Sequence, residues 1–333
     1  MTPVTVREAI SPLAAVPRRI LPRFALSQEL VLLFALVALF IVVGIMNPRF
    51  LAERNLHSIF LGNAYVAVAA IGMSMVIISG NIDISVGSLI GVLATISGTL
   101  AVEGVPIILC WIIPVFVSIA FTTLMGAMVA YLRIPSIVVS LGFLSILKGG
   151  LISATGGAWI NKLPASFHLA QMRPFDIPMP IYFMILLTIA AAFWMRLSAT
   201  GRSIYAVGGN AEAARLSGIN YERTIVKVFA IHGFFVGVAA ILFATQLAII
   251  QSTVPPNLEL TIITASVVGG VSILGGIGTV VGSTLAAILI AAIGSSLIFV
   301  NVSPYWLRAV QGVLILLTVL ADLWRRRRQA RRR

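Results

Sequence analysis

Charge is what this sequence has least of. Of 333 residues only 10% are Asp, Glu, Lys or Arg, against 59% hydrophobic, whereas soluble domains carry about 25% charged residues. So little charge cannot clothe a water-facing surface, which excludes a soluble globular protein and indicates an integral membrane protein. Cysteine is nearly absent. The single Cys110 excludes a disulfide framework and a thiolate metal cluster, and its apolar surroundings suit a small packing residue. Catalytic signatures are missing as well: there is no G-x-S-x-G elbow and no H-E-x-x-H, and His57, His168 and His232 are dispersed. The stretch GGIGTVVGST (275–284) has glycines but no lysine after them, so no Walker A phosphate loop is present.

What is present is a succession of apolar runs. A spanning helix needs about 20 mostly apolar residues, and candidate spans fall at about 28–46, 60–79, 84–102, 106–131, 135–154, 180–197, 226–249, 260–275, 278–299 and 304–323. The fold class is therefore an all-α polytopic membrane protein of about ten transmembrane helices, eight at the lower count, some of them broken at Gly-rich segments. The eighth span is short and Gly-rich and reads as broken or re-entrant. Gly87 and Gly91, spaced as in GxxxG, suggest close helix packing.

The few charges orient the chain. The formal charge is +13, but seven of the 23 basic residues lie in the final RRRRQARRR, a juxtamembrane position that does not signal nucleic acid. With the N-terminus inside, 17 basic residues fall on the cytoplasmic side, including Arg7, Arg18, Arg19, Arg23 and Arg133. Six fall outside: Arg49, Arg54, Lys148, Lys162, Arg173 and Arg308. Both termini are expected in the cytoplasm. Residues 1–27 then form a cytoplasmic tail with no removable leader, 28–324 one transmembrane domain, and 325–333 a basic cytoplasmic tail.

Two loops are long. The outer one (155–179) carries Trp159 and Phe175 at membrane-interface positions. The inner one (198–225) contains NAEAARLSGI, a short helix with Asn210 as N-cap, Glu212 in its first turn and Gly218 as its stop. A structured helix in an inner loop suggests docking onto another protein. There is also an internal echo: VIISGNIDISVGS (76–88) and VSILGGIGTVVGS (271–283) match at seven of 13 positions. Glycine-interrupted repeats of this kind point toward a substrate path. Asp83, in SGNIDISVGS, is placed near the inner ends of spans two and three. It has no evident His or Lys partner there, and with Ser85 it is positioned to cap the third span. His232 reads as a hydrogen-bonding residue in helix packing.

Four stretches, in order over nearly the whole chain, carry a family likeness. GNIDISVGS (80–88) is similar to G-G-I-D-L-S-V-G-S, and IPSIVVSLGFLSILKGG (134–150) to P-x-F-I-x-T-L-G-x-x-x-x-x-x-G. TGRSIYAVGGNAEAARLSGI (200–219) is similar to T-x-x-G-R-x-I-Y-A-x-G-G-N-x-x-A-A-x-x-S-G-I, and LTIITASVVGGVSILGGIGTVVGS (260–283) to A-x-V-x-G-G-x-x-x-x-G-G-x-G-x-x-x-G-T. The chain thereby resembles the inner-membrane permease subunits of bacterial ABC sugar importers, the ribose-type branch related to branched-chain amino-acid permeases. Asn81, Ser140 and Ile263–Thr264 depart from the pattern.

The resemblance implies a transport subunit and not an enzyme. It implies a second permease subunit, identical or similar, two ATPase subunits and a periplasmic binding protein that delivers a monosaccharide. No cofactor is implied on this chain, ATP and Mg belonging to the ATPase. Gly208, Gly209, Asn210, Glu212, Ala213, Ala214, Arg215 and Gly218 match the segment that docks on the ATPase. Small Ala213 and Ala214 would permit close approach, and Glu212 and Arg215 would pair with the partner or each other. A neutral sugar calls for hydroxyls and amides along its route, and Asn81, Asp83, Ser85, Ser88, Gln246 and Gln251 are the candidates. A branched-chain amino-acid permease and an ion-coupled secondary transporter remain as alternatives.

Overall fold

The computed structural model describes residues 28–330, with side chains as far as Trp324; the predicted N-terminal tail and the basic side chains of the C-terminal tail lie outside the described residues. The chain runs α1 (Gln28–Met46), α2 (Glu53–Ile78), α3 (Val86–Val102), α4 (Ile107–Tyr131), α5 (Ser136–Thr155), β1 (Trp159–Ile160), α6 (Met179–Leu197), α7 (Ala199–Gly209), α8 (Ala211–Leu216), α9 (Tyr221–Gln246), β2 (Ile250–Gln251), α10 (Leu258–Val268), α11 (Val280–Phe299) and α12 (Trp306–Ala330). Eight of these helices, α1, α2, α4, α5, α6, α9, α11 and α12, are long and apolar enough to cross a membrane. The other two predicted spans are the short apolar helices α3 and α10. At about 1.5 Å per residue, the 11 residues of α10 reach only about 16 Å, roughly half a hydrocarbon core. The short, broken character expected of the eighth span is present, although α10 stops at Val268, well before the anticipated 275.

Burial separates inner from outer helices. In α2, 78% of the apolar window is buried and in α9 67%, against 17% in α1 and 6% in α12. The outer helices present Phe34, Phe116, Leu186 and Leu316 outward, as a lipid-facing surface requires. In a bilayer helices gain little from apolar burial against each other, so close backbone approach matters more. Gly237 of α9 illustrates this: a Cβ there would lie 2.7 Å from the Val115 Cα of α4. Gly87 and Gly91 serve the same end, bringing α3 against residues 253–259. Cys110 is buried in a small apolar cluster with Ala94, Ala101 and Phe167, as its surroundings predicted.

Two elements had no sequence expectation. Residues 199–209 form α7, started by Ser198, whose hydroxyl accepts from the Gly201 amide at 2.8 Å. The 155–179 loop is tied down by β1, which pairs antiparallel with β2, and by the Ala170 amide donating to the Thr245 hydroxyl at 3.3 Å. The loop therefore covers the end of the bundle where α9 finishes. Trp159 and Phe175 are exposed on it. The opposite end carries α7, α8 and the two non-helical stretches 79–85 and 269–279.

Candidate coupling and transport site

The α8 helix is built as its sequence dictates. The Asn210 side chain accepts from the Ala213 amide at 2.9 Å, while the Asn210 amide itself closes α7 on the Ala206 carbonyl. Gly218 stops the helix with φ 82°, and the Ile219 amide returns to the Ala214 carbonyl at 3.0 Å. Ala214 is buried and anchors α8 to the bundle, so of the two alanines only Ala213 faces outward. Leu216, not singled out from sequence, is 82% exposed at the helix tip. Glu212 and Arg215 make no ion pair among the described residues.

Behind α8 the end of α7 joins both non-helical stretches. The Gly276 amide donates to the Ile78 carbonyl at 2.8 Å, and Gly208 packs on that same carbonyl so closely that a Cβ would overlap it. Gly275 abuts Gly208 on one side and Gly80 on the other. The Tyr205 hydroxyl donates to the Gly278 carbonyl at 2.8 Å. Burial holds the Tyr205 phenol above its ordinary pKa, so it remains a neutral donor. Gly209 has open space around its Cβ position, with nothing nearer than 4.0 Å.

Between α8 and the membrane helices lies a cavity of about 400 Å3. Glu212, Arg215 and Tyr221 line it from the α8–α9 side, Arg133 and Ser136 from the α4–α5 turn, and Asn81 from the 79–85 stretch. The structure thus brings Asn81, a route candidate, to the foot of α8. Ser136 fastens this wall by accepting from the Ile82 amide at 3.1 Å.

Asp83 departs from expectation. It is fully buried, not placed where water softens its cost, and it has a partner: His232 Nε2 lies 3.1 Å from its Oδ2. Its Oδ1 accepts from the Ser85 amide at 2.7 Å and the Ser85 hydroxyl at 2.6 Å. Ser85 occupies the N-cap position of α3, but its hydroxyl serves Asp83 and not the α3 amides. His232 Nδ1 has no hydrogen-bond partner and faces Gly72. His232 is the hydrogen-bonding helix residue expected, with a sharper role.

Ser88 is buried with its hydroxyl unpaired. Gln246 and Gln251 are elsewhere, at the far end of the bundle, one closing α9 and the other exposed on β2. The six route candidates do not form one site. No group of three or more His, Cys, Asp or Glu able to hold a metal occurs among the described residues.

Comparison with known proteins follows the same line. A family model for the branched-chain amino acid transport system / permease component matches residues 55–319. The autoinducer 2 import system permease protein LsrC of Salmonella typhi is 32% identical over 297 residues, covering 89% of this chain and 86% of the relative. LsrC of Yersinia enterocolitica is 33% identical over 297 residues, covering 89% and 82%, and that of Escherichia coli O9:H4 is 31% identical over 297 residues, covering 89% and 87%. No solved structure matches. The chain belongs to this permease-component family: it is a multi-pass inner-membrane transport subunit and not itself an enzyme.

Proposed function

We propose that this permease carries a monosaccharide or sugar-derived signal inward as part of an ATP-driven importer. It pairs with a second permease subunit, docks through α8 on ATPase subunits, and receives substrate from a periplasmic binding protein. The named relatives are permeases for autoinducer 2 import, which favours a signal molecule over a branched-chain amino acid. The observation that carries the reading is α8 itself, anchored by Ala214, displaying Leu216, and standing over a cavity whose far wall is Asn81.

The mechanism is alternating access without chemistry on the substrate. Closure of the ATPases displaces α8 together with α7, which has no slack against Ile78 and Gly276 because Gly208 packs directly on them. The push reaches the ends of α2 and α3 through the 79–85 stretch. Coupled work is done by differential contacts in two states, so a contact without play transmits better than a flexible one.

Uptake into vesicles holding the assembled importer tests this. Accumulation should stop when ATP hydrolysis is blocked and should be indifferent to a proton gradient. Leu216→Asp should weaken ATPase association at least tenfold while leaving membrane insertion intact. Uptake that persists without hydrolysis would sink the importer reading; normal assembly of the Leu216 variant would sink the docking role of α8.

A further inference from the structure

A second cavity, of about 550 Å3, lies at the opposite end of the bundle, where α2, α10 and α12 begin and α11 ends. Its polar lining is made of amides and hydroxyls. Asn55 and Ser295 are joined there, the serine hydroxyl donating to the amide oxygen at 2.8 Å. Gln311 donates through Nε2 to the Thr261 hydroxyl at 3.2 Å, and Asn63 donates through Nδ2 to the Ile59 carbonyl at 3.1 Å. What these bonds leave over is the informative part. The Ser58 and Tyr65 hydroxyls and the amide oxygens of Asn63 and Gln311 have no hydrogen-bond partner among the described residues. Ser58 is exposed and Asn63 and Tyr65 are half-buried, so solvent serves these groups, and a cavity that gathers several of them suits a ligand whose own polar groups can replace that water. Tyr65 adds a ring held against Phe243 with centroids 5.0 Å apart.

We propose that this cavity is the outward subsite that receives a polyhydroxy substrate as it leaves the binding protein, an assignment that rests on the importer reading above. Its volume is in the range of small-molecule sites. No charged side chain lines it, so the carboxylate and ammonium of an amino acid would enter without counter-charges, at high desolvation cost. A neutral polyol meets the opposite condition. Its hydroxyls donate to the Asn63 and Gln311 oxygens and exchange bonds with Ser58 and Tyr65, and its ring faces the Tyr65 edge of the pocket. An acyl chain would leave all four groups unpaired. The subsite is also weak by construction: each bond is neutral and solvent competes for it, so substrate is accepted and released and not trapped.

The test uses the complete importer in vesicles, with ATPase and binding protein present. In Asn63→Leu and Gln311→Leu, substrate imported per ATP hydrolysed should fall at least tenfold, while hydrolysis stimulated by the loaded binding protein stays near wild type. Independently, Ser58→Cys should react with a small membrane-impermeant thiol reagent added on the face opposite α8. D-ribose at high concentration should slow that reaction several-fold and leucine should not. Buried Cys110 stays in place as background. Unchanged import per ATP in the leucine variants, or labelling of Ser58→Cys that ignores D-ribose or is slowed equally by leucine, would overturn the assignment while wild-type, hydrolysis-dependent uptake still upheld the importer. Hydrolysis-independent wild-type uptake with ribose-protected Ser58→Cys would do the reverse, keeping the pocket and removing the coupling.

Discussion

The stretches 79–85 and 269–279 are similar in sequence and similar in plan, yet each solves the problem of a broken helix differently. Both interrupt a pair of apolar helices, α2–α3 and α10–α11, and both turn through a left-handed glycine at the aligned position, Gly80 with φ 86° and Gly275 with φ 79°. The first satisfies its loose backbone and its carboxylate with side chains: Asp83, Ser85 and the distant His232. The second has no ionisable residue of its own: Gly270, Gly276 and Gly278 are also at positive φ, and the Ser272 and Thr279 hydroxyls reach out to the carboxylates of Asp322 and Glu29. It borrows partners from its neighbours, through the Gly276–Ile78 bond and the Tyr205 hydroxyl. A break held by a buried polar pair is stiff and tied to α9. The second break is tied to α7, and through it to α8, and also to α12 and α1 through Ser272 and Thr279. On the function proposed above, the first stretch would anchor and the second would transmit.

Breaking the anchor should have the largest effect. His232→Leu leaves the Asp83 carboxylate buried with only Ser85 as partner, and loss of one member of such a pair costs about 3–5 kcal/mol. Detergent-titrated unfolding of the purified permease measures it. Asp83→Asn keeps an acceptor for Ser85 and removes the buried charge, so its cost should be smaller, about 1–2 kcal/mol. Equal costs for the two variants would mean that the pair is not what holds this break.

The transmission side comes next. Gly208→Val places a branched side chain on the Ile78 carbonyl and displaces the Gly276 amide from it, and about 3 kcal/mol is expected from overlap plus the lost bond. Its signature differs from that of the histidine variant. At partial stability, Gly208→Val should hydrolyse ATP without moving substrate, because α7 no longer seats against the bundle, whereas His232→Leu should lose both activities together as the fold loosens.

Much of this was legible in sequence, and the gaps have physical causes. Spans appear because a bilayer demands long apolar runs, and α8 appears because its caps, Asn210 and Gly218, are local chemistry. The Asp83–His232 pair escaped because its members are 149 residues apart and no local spacing records a long-range contact. Scarcity was the available signal, since ionisable groups inside spans tend to pair with one another. The α7 helix carried a Ser198 N-cap, but the apolar periodicity that would have exposed it is short. The outer cavity was invisible for another reason: its amides and hydroxyls come from four helices, each contributing polar residues that look like ordinary packing hydrogen bonders alone. In the sequence Asn81 stood as a route candidate, and only the fold puts it under α8.

The smallest effects sharpen the comparison most, because they isolate single contacts. Tyr205→Phe removes one neutral donor to the Gly278 carbonyl and leaves the ring, for about 1 kcal/mol. Gly209→Ala should change stability by no more than about 0.5 kcal/mol, since its Cβ position has nothing nearer than 4.0 Å and alanine suits a helix end at least as well as glycine. Gly208 and Gly209 are adjacent in sequence, so local propensity cannot separate them; the Ile78 carbonyl does. If unfolding titrations give Gly209→Ala and Gly208→Ala the same small cost, α7 has room to move against α2, and the transmission assigned to the glycine break loses its mechanical basis. If only Gly208→Ala is costly, the contact is without play, as the proposed transmission to the ends of α2 and α3 requires.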